Sequence, residues 1–418
     1  MKLLFVTYIS QKYAKQINLN YTFYIAKRIT LQSKRKFSKL IVRIAIAGIA
    51  LGVMVMLLSV GIIRGFKETI KDKLTGFSGD LQVSNFQYSQ NSNDYLIRNS
   101  DFENALKKNN QIQQVLQVAN KVTIMQHNNR IEPLMIKGVN NMNDYQFMIE
   151  NIVKGRRANA DNEILISKYI ADKHSIDTAE RILFYFTDQP VKLRKYKVVG
   201  VYESSIDQID QNIVLANIDL VKSVNDWTNN QIAYYQIHLK DRTKLNEELL
   251  VQLDQYIPLD QKVFTNQEIY SELYDWINLL DVNSQVIIIL MLIVAGINMI
   301  SAILILILER VAFIGVLKTM GASNAFVKRV FYYNASYLIF IGLLIGNSLT
   351  LITYYLQKKF HLIELDPSSY YMKYVEIHFK PLDFVLMNTG VFISTLFFVW
   401  LGTLLITKIN PLKAIRFN

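Results

Sequence analysis

Cysteine is missing from all 418 residues. That absence excludes disulfide frameworks, Cys-ligated zinc, iron–sulfur clusters, thiol nucleophiles and lipidated cysteine anchors. Charge is scarce too: Asp, Glu, Lys and Arg make up 19% of the chain, against about a quarter in an ordinary soluble protein. Catalytic signatures are also lacking. His127, His174, His238, His361 and His378 never fall at metal-ligand spacing such as H-x-x-x-H. There is no G-x-S-x-G elbow, no G-x-x-x-x-G-K-[ST] loop and no G-x-G-x-x-G turn. The chain therefore reads as a protein without bond chemistry of its own, binding no cofactor and no metal.

What is present is apolar sequence in four long pieces. Hydrophobic residues account for 51% of the chain. Residues 44–63, 286–308, 334–356 and 384–406 contain no charged residue. Each is 20 to 23 residues long, and at 1.5 Å per residue each reaches about 30 Å, the hydrocarbon thickness of a bilayer. A buried soluble helix would explain one of them, but four without an interior charge read as membrane spans.

The formal charge of +12 could suggest a nucleic-acid binder, so its placement matters. Residues 1–43, the 309–333 link and the tail after residue 406 together hold 17 basic residues and one acid, Glu309. The remainder holds 29 basic and 33 acidic residues. This asymmetry is a positive-inside signal that also suits anionic lipid headgroups, and it removes the case for nucleic acid. It places both termini and the 309–333 link in the cytoplasm.

The expected fold is thus an α-helical membrane protein with four transmembrane helices and a mixed α+β extracytoplasmic domain between the first two. In order, 1–43 is a cytoplasmic or interfacial segment, 44–63 the first span and 64–285 the extracytoplasmic domain with a helical stalk. Span two follows over 286–308, the cytoplasmic link over 309–333 and span three over 334–356. A short extracytoplasmic loop over 357–383, span four over 384–406 and a cytoplasmic tail over 407–418 complete the chain. Residues 1–10 carry too short an apolar run for a signal peptide and read as retained.

Within 64–285, β-rich stretches lie at 162–167, 182–186, 195–202, 211–216 and 232–239. In the last, Tyr235, Ile237 and Leu239 alternate with Gln236 and His238, the period of a half-buried strand. Residues 167–174 predict a short helix. Leu245, Leu249, Leu250, Leu253 and Ile257 place an apolar stripe along a helix over 241–257. Thr265 and Glu268 have capping-box spacing, and no Pro or Gly follows until Gly296. A helix starting near Asn266 is therefore expected to run unbroken into span two, either as a stiff rod or as a simple anchor. Glu203, Asp207 and Asp210 read as a solvated loop or edge rather than a metal or acid–base site.

Inside the spans, Asn298 predicts a packing contact to another helix. Gly48-x-x-x-Gly52 and Gly342-x-x-x-Gly346 let helices approach closely. Arg43 can snorkel to the headgroups. The cytoplasmic link is the most informative stretch. Val311, Phe313, Ile314, Val316, Leu317 and Met320 make a short helix that is apolar over most of its circumference, with Gly321 placed to end it and Ser323 to cap the next helix. Only Lys318 offers a polar side, so an interfacial helix is a poor explanation. One side is expected to face lipid or the spans, and the rest to dock on a soluble partner.

Residues 310–323 resemble the coupling-helix signature R-x-x-x-I-G-[IV]-L-[KR]-x-x-G-A-S of FtsX/MacB-like ABC permeases. Further stretches resemble the lipoprotein-releasing (LolC/LolE-type) branch. They are Ile25-Ala-Lys-Arg, Ile44-Ala-Ile-Ala-Gly-Ile-Ala-Leu-Gly-Val with Gly65-Phe-Lys-Glu, Asn162-Glu-Ile-Leu-Ile-Ser, Val198-Val-Gly-Val-Tyr-Glu-Ser, Gly296-Ile-Asn-Met-Ile-Ser and Asn410-Pro-Leu-Lys-Ala-Ile-Arg.

The resemblance implies a permease of the bacterial inner membrane in a type VII ABC system. A second permease chain, the same or a paralogue, would pair with it, and a cytoplasmic ABC ATPase dimer would supply ATP and Mg. Closure of that ATPase would act through Val311, Phe313, Ile314, Gly315, Leu317, Lys318, Met320 and Gly321, and a lipoprotein would pass to a periplasmic carrier. Span one, with Gly48 and Gly52, would form the dimer interface. Two departures stand out. Phe313 occupies a position where many relatives are acidic, and the carrier-contact hairpin over Thr187, Gln189, Pro190 and Arg194 is short. The alternative within the superfamily is a mechanotransmitter driving a periplasmic hydrolase or efflux partner. A sensor or scaffold without an ATPase leaves the apolar 311–320 helix unexplained.

Overall fold

The computed structural model describes residues 36–86, 94–128, 130–187, 190–366 and 370–404. The motifs quoted at 25–28 and 410–416, and Gln189, lie outside them. Two compact units divide the chain. A helical unit takes the described residues up to Phe66, Asn278–Leu362 and those from Glu376 onward, and a sheet unit takes Lys67–Ile277 with Ile363–Val375.

In chain order the helices are α1 (Lys36–Ser78), α2 (Ser100–Lys108), α3 (Gln146–Asn151), α4 (Lys168–His174), α5 (Asp207–Asn212) and α6 (Ile218–Asn225). They continue as α7 (Glu247–Asp254), α8 (Asn266–Ile269), α9 (Ser271–Glu309), α10 (Val311–Thr319), α11 (Asn324–Phe360) and α12 (Pro381–Thr403). Four of these, α1, α9, α11 and α12, are long and apolar enough to cross a membrane.

The helical unit packs Ile49, Val53, Met56 and Leu57 of α1 against Met299, Ile303 and Leu306 of α9, with Phe331, Ala335 and Leu338 of α11 and Val391 and Val399 of α12. Small residues set how closely these helices pack. A Cβ on Gly342 would lie 2.7 Å from Ile49 Cγ2, and one on Gly346 would lie 2.7 Å from Ala50 O. Polar residues in the apolar helices pair with each other. Asn347 Nδ2 donates to Asn388 Oδ1 at 2.8 Å and Asn388 Nδ2 returns a bond to Asn347 Oδ1 at 3.1 Å. Each amide also donates to a carbonyl one turn back, Leu343 O and Phe384 O.

Strands β1 (Leu81–Asn85), β3 (Ile112–His127), β4 (Arg130–Val139), β5 (Ile152–Gly155), β6 (Glu163–Ser167), β7 (Arg181–Phe186), β8 (Lys192–Tyr202), β9 (Ile213–Asn217), β11 (Tyr234–Leu239) and β12 (Gln261–Thr265) form one sheet. A small pair, β2 (Leu96–Ile97) and β10 (Gln231–Ile232), stands apart. Pairing runs β3–β4, β4–β9, β9–β6, β6–β8, β8–β7 and back from β7 to β3. This part of the sheet therefore closes on itself and leaves no open edge. Met125, Ile136, Ile164, Ile182, Phe184 and Phe186 lie buried in its core, and each such side chain contributes about 1.5–3 kcal/mol.

Strands form in all five expected stretches, but 211–212 belong to α5 so that β9 starts at Ile213, and 232–239 divides into the end of β10 and β11. The 167–174 helix is present, capped by Ser167 Oγ on Ile170 N at 3.1 Å. Other expectations change. The helix over 241–257 shortens to α7, because Asn246 Oδ1 accepts from Leu249 N at 2.9 Å and starts it there; the preceding residues form a 3-10 turn. Leu245, Leu250 and Ile257 still pack on the core as flanking residues. The helix entering α9 is interrupted at Tyr270 (φ −113°, ψ 38°) after the single turn of α8, whose Thr265–Glu268 capping box forms as expected. Gln236 is fully buried, so β11 is covered on both faces at that point instead of half-buried.

Candidate functional site

Helix α10 has one buried side and one open side. Ile314 and Gly315 are buried in the helical unit, while Leu317 and Lys318 are half-buried. Phe313, Val316 and Met320 project outward, with Met320 79% exposed. The helix ends in a Schellman turn. Ala322 N donates to Leu317 O at 2.9 Å and Gly321 N to Lys318 O at 3.1 Å, with Gly321 at φ +91°. Ser323 Oγ then accepts from Phe326 N at 3.2 Å and opens α11. The result is an apolar surface on a helix stopped at Gly321, with no side-chain cap at Arg310, and followed at once by the Ser323-capped α11, in the pattern expected from 310–323. Apolar side chains in such a setting bind by burial and carry no reactive group.

The acidic stretch at 203–210 is not a solvated loop throughout. Asp210 is buried, and its carboxylate accepts from Ser204 N, Ser204 Oγ and Ser205 N at 2.7–3.0 Å. Burial raises its pKa, with those hydrogen bonds opposing the shift. It orders the turn into α5. Glu203 pairs with Lys373 at 2.9 Å. No group of three His, Asp or Glu side chains among the described residues is arranged to hold a metal ion. His174 and His127 pair instead with Glu132 and Glu180, at 3.1 and 3.2 Å.

Gly48 and Asn298 come together: a Cβ on Gly48 would overlap the Asn298 amide, whereas Gly52 has open space around its Cβ position. Thr187, Pro190 and Arg194 lie exposed on the connection between β7 and β8 and at the start of β8. The middle of the 361–380 connection belongs to the sheet unit. Met372 is buried, Lys73 Nζ donates to Tyr371 O at 2.9 Å, and the Trp276 and Tyr371 rings meet edge-on.

Two family models cover most of the chain. The MacB-like periplasmic core domain matches residues 44–258, and the FtsX-like permease C-terminal domain matches residues 285–411. The chain belongs to the FtsX/MacB-like permease family. Among its relatives is the lipoprotein-releasing system transmembrane protein LolC of Xylella fastidiosa (strain Temecula1), 22% identical over 93% of this chain and 97% of that protein. LolC of Buchnera aphidicola from Schizaphis graminum is 22% identical over 78% of this chain and 80% of its own. LolE of Haemophilus influenzae is 21% identical over 80% and 82%.

In this permease, sequence reasoning missed a third close approach. Gly61 and Gly65 sit under the chain at 376–379, where a Cβ on Gly65 would overlap Glu376 O, and His378 N donates to Gly61 O at 3.0 Å. Their G-x-x-x-G spacing was the available signal. Beside them Arg64 makes a two-pronged pair with Asp383, Nη2 to Oδ1 at 2.9 Å, and Asp383 also accepts from Lys380 N at 2.8 Å. Nothing in the local sequence pairs residues so far apart.

Proposed function

We propose that this chain is the permease subunit of a type VII ABC system that releases lipoproteins from the inner membrane to a periplasmic carrier. The single observation that carries this reading is the exposed apolar side of α10, Phe313, Val316 and Met320, on a helix stopped by the Gly321 turn. An ATPase dimer would seat its groove there and bring ATP and Mg; the permease itself would be non-catalytic. A second permease chain, identical or paralogous, completes the assembly, with both termini cytoplasmic. The lipoprotein assignment is supported by relatives whose names read lipoprotein-releasing system.

Affinity purification of the tagged full-length chain in mild detergent, with mass spectrometry of what co-elutes, tests this. Recovery of an ABC ATPase with acylated lipoproteins is expected. An ATPase accompanied by a periplasmic hydrolase or efflux component would replace lipoprotein release with mechanotransmission. Absence of any ATPase would remove the permease role.

A further inference from the structure

The last turn of α1 ends on a buried amine. Lys137 of β4 is 1% exposed. Its Nζ donates to Phe77 O at 2.7 Å and to Gln236 Oε1 at 2.9 Å, and it stands 3.9 Å from the centre of the Phe77 ring. Tyr145 donates to the same Phe77 carbonyl. Both oxygens that Lys137 reaches are uncharged.

The groups around it are neutral or positive. Across the ladder from Lys137 stand Asn120 on β3 and Leu215 on β9. From β11 come Gln236 and His238, whose Nε2 meets Gln236 Nε2 at 2.8 Å. Burial, with Lys137 and Arg242 adding to it, lowers the His238 pKa to about 4. Arg242 is occupied by Asp80, at 3.0 Å, and by Asp72. Tyr145, its ring centre 5.8 Å from Lys137 Nζ, and Tyr202 and Tyr270 beside Tyr145 have their phenols pushed upward by burial. An ammonium here would lose its hydration with no carboxylate to replace it, and one ring and two neutral acceptors do not make up that loss. Burial accordingly lowers the Lys137 pKa well below its usual value.

We propose that Lys137 is a proton-controlled pin, whose neutral amine fastens the end of α1 to β4 and β11 and whose protonation loosens that end. When the end of α1 opens, Lys137 regains water and a pKa of about 10.4. The opened state then binds the extra proton, so protection of the closed state rises with pH. Above pH 6 His238 is neutral and the three tyrosines keep their protons. Asp80, whose carboxyl is pushed up by burial, would make protection fall with rising pH, so a rising profile is the signature of Lys137.

The experiment is amide hydrogen exchange of the full-length chain in nanodiscs, read by mass spectrometry on peptides covering 74–80 and corrected for the intrinsic pH dependence of exchange. In the wild type, protection should rise by up to about tenfold per pH unit over part of the pH 6–9 range. Lys137→Met should remove that slope and, without the amine's bonds to Phe77 O and Gln236 Oε1, hold the segment at a pH-independent protection below the wild type's high-pH level. Should the methionine variant not fold, Lys137→Gln supplies the same comparison, and the wild-type slope stands as a test without either variant. A flat wild-type profile, or the same slope in a folded variant, overturns the proposal. No ATPase or substrate is present in the measurement, so its outcome is independent of the transport assignment.

Discussion

Asn266 donates both hydrogens of its amide to the end of α1, one to Gly79 O and one to Ser78 Oγ, each at 2.7 Å. Its Oδ1 accepts from Tyr274 OH at 3.0 Å, and its backbone N donates to Asp80 O at 3.0 Å. One side chain thus satisfies the end of α1 and belongs to the turn that opens the stalk of α9. Gly79, at φ +81°, lets the chain leave the helix there: a Cβ at that position would lie 2.7 Å from Gln236 Cγ. With Ser78 Oγ on Leu74 O, Gly79 N on Thr75 O and Lys137 Nζ on Phe77 O, the last carbonyls of α1 have partners drawn from several elements.

Replacing Asn266 with alanine should cost about 2–4 kcal/mol, because buried Gly79 O and Tyr274 OH lose their partner with no water to replace it. Asn266→Asp should cost more, since it sets a carboxylate against a carbonyl oxygen. Thermal unfolding of the detergent-solubilised full chain measures both. Equal stability of Asn266→Ala and wild type would show that the junction is not held by this side chain.

The Asn347–Asn388 pair predicts non-additive substitutions. A single Asn347→Leu leaves Asn388 without its cross-helix partner, whereas the double leucine variant removes both polar groups. The double variant should therefore recover part of the loss, with a coupling of about 0.6–1.7 kcal/mol between the two sites. Strictly additive unfolding energies would argue that the reciprocal amide contact contributes nothing.

Glu163 gives an acid limb with a defined sign. The Arg156 guanidinium, with help from the N–H groups of Asn159 and Ala160, holds its pKa down to about 2 against the opposing effect of burial. A carboxylate depressed in the folded state contributes stability above its unfolded pKa of about 4.3. That contribution is lost as pH falls toward about 2. Glu163→Gln should be less stable than wild type at pH 6, and the difference should shrink as pH falls from about 4 to 2. Melting curves across that range decide it, and a pH-independent difference would assign the loss to packing.

For α10, Phe313→Ser combined with Met320→Ser should abolish co-purification of an ATPase while leaving the melting temperature nearly unchanged, since both side chains face outward. Ile314→Ser should instead destabilise the helical unit by about 2–5 kcal/mol, because it places a smaller polar group in a buried apolar site. ATPase recovery undiminished in the double serine variant would separate this surface from ATPase binding.

The apolar helices, the glycine stop of α10 and the serine cap of α11 were legible because each depends on neighbours within a few residues: a run without charge, a glycine after the last turn, a serine before the first. β3 and β4 were not. Asn120, Lys121, Thr123 and Lys137 interrupt their alternation, and the structure buries all four under other elements. The Asp210 carboxylate likewise looked solvated because the serine groups that cap it are recognisable only once the turn is closed.

The sequence by itself determined that this chain carries four long apolar helices, a large domain between the first two and an apolar linker helix, because hydropathy, charge placement and capping act over short distances. Only the tertiary structure decided how α1 ends. Lys137 lies 60 positions from Phe77 and Asn266 lies 187 from Gly79. Contacts at such separations follow from sheet pairing, which no local pattern encodes, and they set the charge state of a buried amine and the partners of a helix terminus.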